Sequence, residues 1–271
     1  MRLDGDILYA IWISPSPATL SFDLNGGSGN VPPINGYTGT IVALPSGSGA
    51  TRQGYTFLGW SAYPDGEILP TSYMITGNAT IYAVWTVNQY ILDFLPNGAE
   101  GSPSTIYADY DSEVTLPGVG DMSKVGYTFG GWSETVDGTA VTLPYRMPFG
   151  GGSLYAVWNI NQYRITWNWT TEAGPQTITE DLDYDTYPVK TVPGYQTETD
   201  VFTFSTWSPD TEPVSADATY TAQYTSVPRQ YNVTWYVDGD GTTTAVAFGA
   251  VISLPNDPTK TGYTFGGWSP A

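Results

Sequence analysis

The chain has 271 residues, of which 15% are aromatic and only 13% charged, with a formal net charge of −18. So acidic a chain offers no cationic face to nucleic-acid phosphates. Its lack of cysteine and histidine removes disulfides, thiolate metal sites and the commonest general base. The 31 glycines and 21 prolines beside so many aromatics suit short strands joined by tight turns, and the mixture is too apolar for disorder. No apolar run is long enough to cross a membrane as a helix.

The chain opens on Met1–Trp12, whose core Ile7-Leu8-Tyr9-Ala10-Ile11-Trp12 recurs as Ile81–Trp85 and Leu154–Trp158. With Arg2 as its one basic residue and no small-residue cleavage site after Ile13, it does not read as a signal peptide. In the two later places the same block closes a repeat begun about seventy residues earlier.

Self-similarity dominates the rest. Each repeat starts on an alternating strand: Ala18–Phe22, Tyr90–Phe94, Tyr163–Trp167 and Tyr231–Trp235. The first, third and fifth positions are apolar or aromatic and the fourth is polar, so one face is buried and one wet. Turn residues follow, as Asn25-Gly26-Gly27, Asn97-Gly98 and Asp238-Gly-Asp-Gly241. Second strands ending at proline are expected over 41–45, 114–117, 189–193 and 251–255. Then comes the most specific block, Gly54-Tyr-Thr-Phe-Leu-Gly-Trp-Ser61, repeated nearly unchanged at 126–133 and 262–269 and in degenerate form at 201–208. Its Gly-Gly or Leu-Gly before Trp permits a bulge. The repeat core is expected around Trp60, Trp85, Trp132, Trp158 and Trp207. Short, glycine-free connections of four to six residues predict a stiff string of modules. The boundaries read as 13–86, 87–159, 160–225 and 226–271, with 1–12 as a displaced closing strand.

The Gly-Tyr-Thr-Phe-x-Gly-Trp block, the preceding strand with Asn-Gly-Gly and the closing Leu-Tyr-Ala-x-Trp resemble the Listeria–Bacteroides repeat, similar to the B repeat of internalin-type surface proteins. The resemblance covers essentially the whole chain and is loosest in the third repeat, where Gly-Tyr becomes Val201-Phe202. It implies a mainly β fold (α+β, β-grasp-like), a linear tandem array of small ubiquitin-like repeats on an extracellular or cell-surface protein, acting as stalk or adhesive modules. It transfers no catalytic residues. Where such modules carry a short helix, the stretch between Trp60 and Thr80 is one place for it, though no clear helical period is visible there.

The fourth repeat stops shortly after Trp268, before a closing strand, while Met1–Trp12 is a closing strand with no repeat in front of it. Residues 268–271 followed by 1–12 spell out one repeat end. Four modules of about 30 Å in a row would hold their ends about 100 Å apart, so closure within one molecule requires a ring. Between molecules no strain arises, and Ile7, Leu8, Tyr9, Ala10, Ile11 and Trp12 would add to the sheet around Tyr263, Phe265 and Trp268 of the next copy. Leu8, Ala10 and Trp12 then face inward. Such head-to-tail addition propagates as a filament. The expected partner is therefore the chain itself, the expected role that of a structural filament or stalk subunit. The competing expectation is a piece of a surface adhesin whose repeats act as spacers or bind a cell-surface glycan or protein.

Other signals are weaker. Asp181-Leu-Asp-Tyr-Asp185 begins like a calcium loop but has Thr186 and Val192 where that loop needs Gly and Glu. Sequons stand at Asn78, Asn168 and Asn232, and Tyr9, Tyr82 and Tyr155 occupy equivalent positions where aromatics could stack on sugar. No carboxylate recurs at a fixed place against the aromatics, so no enzyme, cofactor or metal site is expected.

Overall fold

The computed structural model describes residues 9–270. The chain divides into two compact units, Met1–Lys124 with Phe129–Trp158, and Val125–Thr128 with Asn159–Ala271. Among the described residues every regular element is a strand.

In the first module β1 (Pro17–Asp23), β2 (Ile34–Tyr37), β3 (Tyr55–Ser61) and β4 (Ala79–Val87) form one sheet in the order β2-β1-β4-β3. The first and last strands of the module are thus its centre. They run parallel, with Leu20 opposite Ala79 and Phe22 opposite Ile81. The alternation read in the sequence places Leu20, Ile81, Ala83 and Trp60 in one buried cluster, each large side chain contributing about 1.5–3 kcal/mol of burial. The turn after β1 needs two left-handed residues, supplied by Asn25 (φ 49°) and Gly26 (φ 84°). In β3 the register shifts between Phe57 and Gly59, and a Cβ on Gly59 would lie 2.7 Å from Ile68; the glycine before tryptophan makes room for a strap crossing the sheet.

The second module repeats this order with β5 (Gln89–Leu95), β6 (Ile106–Asp109), β7 (Tyr127–Ser133) and β8 (Gly152–Ile160), as β6-β5-β8-β7. Leu92, Phe94, Trp132, Leu154 and Ala156 are its core. The hydroxyl of Tyr145 keeps its proton above the ordinary phenol range, first because it is desolvated and then because Glu134 lies beside it. The third module, with β9 (Gln162–Thr171), β10 (Gly174–Asp183), β11 (Tyr195–Gln196), β12 (Asp200–Ser208) and β13 (Ala218–Pro228), has the order β10-β9-β13-β12-β11, over a core of Ile165, Trp167, Trp207, Tyr220 and Ala222.

The mainly β expectation holds, and no helix lies between Trp60 and Thr80. That stretch carries Pro64, Gly66, Pro70 and Gly77, which break helices. Part of it instead pairs as Ser72–Met74 with Ile41–Ala43. The hairpin partner of each opening strand is also a segment that the sequence pattern did not single out: β2, β6, β10 and, in the fourth module, Asp240–Ala247. The proline-ended segments at 189–193 and 251–255 are not strands.

A strap residue fastens each of the first three modules below its hairpin. Ile75 accepts from the N–H of Gly39 (2.7 Å) and donates to the carbonyl of Thr40 (2.9 Å). Met147 does the same with Asp111 and Ser112, and Val214 with Asp185 and Thr186. All three are buried.

The connections between modules are shorter than the four to six residues expected, because the closing and opening strands run on. Asn88 alone separates β4 from β5, and Asn161 alone separates β8 from β9. Asn88 donates its N–H to the carbonyl of Gly54 (2.9 Å), accepts from the N–H of Tyr110 (2.8 Å) and receives the Thr56 hydroxyl on Oδ1 (2.6 Å). Asn161 makes the same three bonds with Gly126, Tyr184 and Thr128, at 2.9, 2.8 and 2.6 Å. A Cβ on Gly54 would lie 2.0 Å from the Tyr110 ring, and one on Gly126 2.0 Å from the Tyr184 ring. At the next connection Arg229 takes over: its N–H donates to the Thr199 carbonyl, its own carbonyl accepts from Phe248, and its guanidinium reaches the Thr197 carbonyl (3.0 Å). Gly54→Ala should therefore loosen the first joint, since the left-handed φ of 78° costs an alanine about 1–2 kcal/mol and the methyl displaces Tyr110. Spin-label distances between the first and second modules should broaden, while each module keeps its own amide-exchange protection.

Candidate functional site: an open sheet face in the fourth module

The fourth module consists of β14 (Gln230–Val237) and β15 (Asp240–Ala247), a hairpin with Tyr231 opposite Val246 and Val237 opposite Asp240. Its two-residue turn is Asp238 (φ 49°) and Gly239 (φ 97°), the left-handed pair that matches strand twist. The Gly262–Ser269 block follows it but forms no strand; the isolated bridge Lys260–Tyr263 is its one pairing among the described residues.

The aromatic frame is nonetheless in place. Trp235 and Trp268 stand 5.1 Å apart between ring centres and Phe265 and Trp268 5.4 Å apart. The matching distances are 4.7 and 5.2 Å for Phe22, Trp60 and Phe57 in the first module, and 4.8 and 5.4 Å for Phe94, Trp132 and Phe129 in the second. The fourth ring is missing: Phe57 meets Trp85 of the closing strand at 5.5 Å and Phe129 meets Trp158 at 5.6 Å, whereas Phe265 has no such partner among the described residues.

Hydrogen bonding shows the same deficit. In the finished modules the anchoring indoles donate to backbone carbonyls, Trp60 to Pro45 and Trp132 to Pro117 at 2.7 Å each, and Trp207 to Lys190 at 3.1 Å. The buried Nε1 of Trp268 has no acceptor among the described residues. An unpaired buried donor costs about 1–3 kcal/mol. The loop that would bring Pro255 across is exposed over residues 251–257, with Val251 92% exposed. Among the described residues no strap residue ties the turn at Gly249 and Ala250, and Val233 and Trp235 remain partly exposed where Leu20, Leu92, Ile165 and Trp167 are sealed. A recess of about 330 Å³ is left, lined by Tyr236, Pro258, Phe265, Gly267 and Trp268.

The donor segment read from the sequence falls partly outside the described residues: Ile7 and Leu8 do. Tyr9, Ala10, Ile11 and Trp12 belong to no strand and are exposed, Trp12 at 91%. Their counterparts in the finished modules have opposite fates. Ala83 and Ala156 are buried, and Trp85 and Trp158 are half-buried with indoles donating to the carbonyls of Leu24 and Pro96 (2.9 Å each). Of the acceptor residues, Tyr263 is exposed while Phe265 and Trp268 are half-buried. Trp60, Trp132 and Trp207 lie in the module cores, with Trp85 and Trp158 packed against them. The sequence reading missed Pro45 and Pro117 as indole acceptors; the fixed interval between each proline and its tryptophan was the available signal.

The weaker signals resolve locally. Asp181 pairs with Arg164 (3.3 Å) and Asp183 accepts from Gln162 (2.8 Å), and the described residues contain no cluster suited to a metal. Asn78 accepts from the N–H of Thr19 and Asn168 from the Thr177 hydroxyl. Tyr82 and Tyr155 are half-buried. No helix among the described residues is long and apolar enough to cross a membrane.

The chain is thus a tandem array of small β modules, the first three of them closed by their last strands. The profile of the Listeria-Bacteroides repeat domain matches residues 19–84, 90–157 and 231–271, more than half of the chain, and the chain belongs to this family. It is 27% identical over 257 residues to a Gly-rich membrane protein of Evansella cellulosilytica, covering 85% of this chain and 29% of that protein. A second membrane protein of that species is 33% identical over 195 residues, 68% of this chain and 28% of the relative. Internalin H of Listeria monocytogenes is 28% identical over 148 residues, 53% of this chain and 25% of the relative. The chain therefore spans less than a third of the length of each. Among solved structures, the Streptococcal High Identity Repeats in Tandem (SHIRT) domains 3-4 of a cell surface protein align over 52% of this chain and 99% of theirs, with 13% identity and a TM-score of 0.25.

Replacing the indole by a ring without a donor should separate finished from open modules. Trp132→Phe strands the Pro117 carbonyl and should cost the second module about 1–3 kcal/mol more than Trp268→Phe costs the fourth, read as loss of amide protection in the strands flanking each tryptophan.

Proposed function

We propose that the chain is a structural, non-catalytic part of a bacterial cell-surface protein, and that its fourth module accepts a closing strand from the Ile7–Trp12 segment of a second copy. The family and the internalin and membrane-protein relatives support the surface setting. The joints at Asn88 and Asn161, built from the same three hydrogen bonds, suit a spacer. The strand-acceptor reading is carried by one observation: the Trp268 indole is buried without an acceptor, while its three counterparts are bonded.

The finished modules give the register. Phe57 opposes Trp85, Trp60 opposes Ala83 and Ser61 opposes Tyr82, so Trp12, Ala10 and Tyr9 fall opposite Phe265, Trp268 and Ser269. On the other side Phe22 opposes Ile81, which sets Leu8 beside Trp235. The donor enters between β14 and the Gly262–Ser269 block, running parallel to β14. It supplies the missing ring beside Phe265, and its ladder hydrogen bonds add about 0.5–1.5 kcal/mol each. The operation is head-to-tail, so it makes open chains of subunits.

Because Trp12 is exposed, Trp12→Arg leaves the three finished modules intact. The native chain should self-associate with rising concentration in sedimentation velocity, and Trp12→Arg should remain a monomer. Native chain that stays monomeric, or a variant that associates equally well, contradicts the reading.

A second reading, a carbohydrate site, draws on a cleft of about 810 Å³ beside the first joint, lined by Arg52, Tyr55, Trp85, Tyr90 and Phe149. Rings of this kind stack on sugars. Glycan-array binding lost on Phe149→Ala would favour it over the spacer role.

A further inference from the structure

We propose that Asp238 is the residue that keeps closure of the fourth module weak and reversible; the inference rests on the strand-acceptor reading and specifies that site. In the first and second modules the position after the opening strand is a left-handed asparagine, with its side-chain amide turned onto the closing strand. Asn25 donates through Nδ2 to the carbonyl of Ala83 (3.0 Å) and to that of Pro64 (2.8 Å). Asn97 donates in the same way to Ala156 and to Val136, at 2.9 Å each. One amide thus ties the middle of the closing strand to the segment that leads into it.

Asp238 occupies this position in the fourth module with the same backbone, φ 49° against 49° and 50°. A carboxylate accepts hydrogen bonds and, ionised, donates none. In the register above it would face the carbonyl of Ala10 in the incoming strand, oxygen to oxygen, where the first and second modules have a donor. Two attractive contacts become a repulsive one in a site that the strand itself dries.

The basic residue of the module is redirected as well. Arg52 and Lys124, two residues before the glycine of the Gly-Tyr-Thr-Phe block, reach the backbone carbonyls of Asn25 (3.3 Å) and Asn97 (3.4 Å). Lys260, at the same place, is drawn to the Asp238 carboxylate at 2.6 Å. Both partners are more than half exposed, so the pair itself is weak. It links the carboxylate to the segment that leads into the Gly262–Ser269 block. The fourth module therefore combines the apolar frame of an acceptor with a substitution that removes its polar lock, as an exchangeable contact requires.

The test uses the full chain, held at a concentration where it is monomeric, and a fluorescent peptide of residues 1–14, with binding read as anisotropy. Asp238→Asn should tighten peptide binding at least tenfold. Lys260→Met, which removes the ion pair without adding a donor, should not reproduce that gain. Conversely, Asn97→Asp should increase amide exchange in β8 of the second module while leaving the first module unchanged. Equal affinities for native chain and Asp238→Asn overturn the assignment of Asp238 and leave the acceptor reading standing. A gain of the same size from Lys260→Met overturns it too, since release of the ion pair would then be the cause. No peptide binding to either chain sinks both.

Discussion

The centre of every finished module is a parallel pair made from its first strand and its last. This constraint governs everything else in the chain. Leu20, Leu92 and Ile165 are buried in clusters to which the closing strand contributes Ile81, Leu154 and Tyr220, and the anchoring indoles of the same clusters donate to backbone carbonyls of the loops between. A module of this design is incomplete until its final strand arrives, however good its earlier part is. Among the described residues the fourth module shows a hairpin, two of three aromatic contacts, and a tryptophan N–H buried without an acceptor. The penalty of that donor and the exposed apolar edge favour addition of a strand.

The same closing strand also builds the joint. Since β4 runs to Val87 and β5 starts at Gln89, the asparagine between them is held by the module before it and the module after it at once. Three hydrogen bonds and a tyrosine ring packed on a glycine leave that residue little freedom. The joint at Asn161 is built identically, while Arg229 replaces the side-chain bond by a guanidinium contact. Closure and coupling of modules are consequently one structural event.

Much of this was legible in the sequence because the repeats report on each other. Alternation in Ala18–Phe22 and its counterparts gave the inward face, and Asn-Gly gave the turn. What stayed hidden had no periodic signature. The hairpin partners Ile34–Tyr37 and Ile106–Asp109 are short and half exposed, so no apolar run marks them. The strap residues Ile75, Met147 and Val214 are single positions of different type. Pro45 and Pro117 act through backbone carbonyls, to which side-chain chemistry is blind. The helix that the family resemblance allowed is absent because the residues between Trp60 and Thr80 are broken by proline and glycine. Asp238 stands where the repeats have Asn25 and Asn97, but its meaning lies in the atoms that those two amides touch.

The central claim is that the fourth module is completed by a strand from another copy. Hydrogen–deuterium exchange of the native chain, followed over a wide range of concentration, tests it most directly. Residues 231–237 and 262–269 should gain protection as concentration rises, approaching that of residues 18–22 and 54–61, while the first three modules stay constant. Protection over those two segments that does not change with concentration would contradict the account.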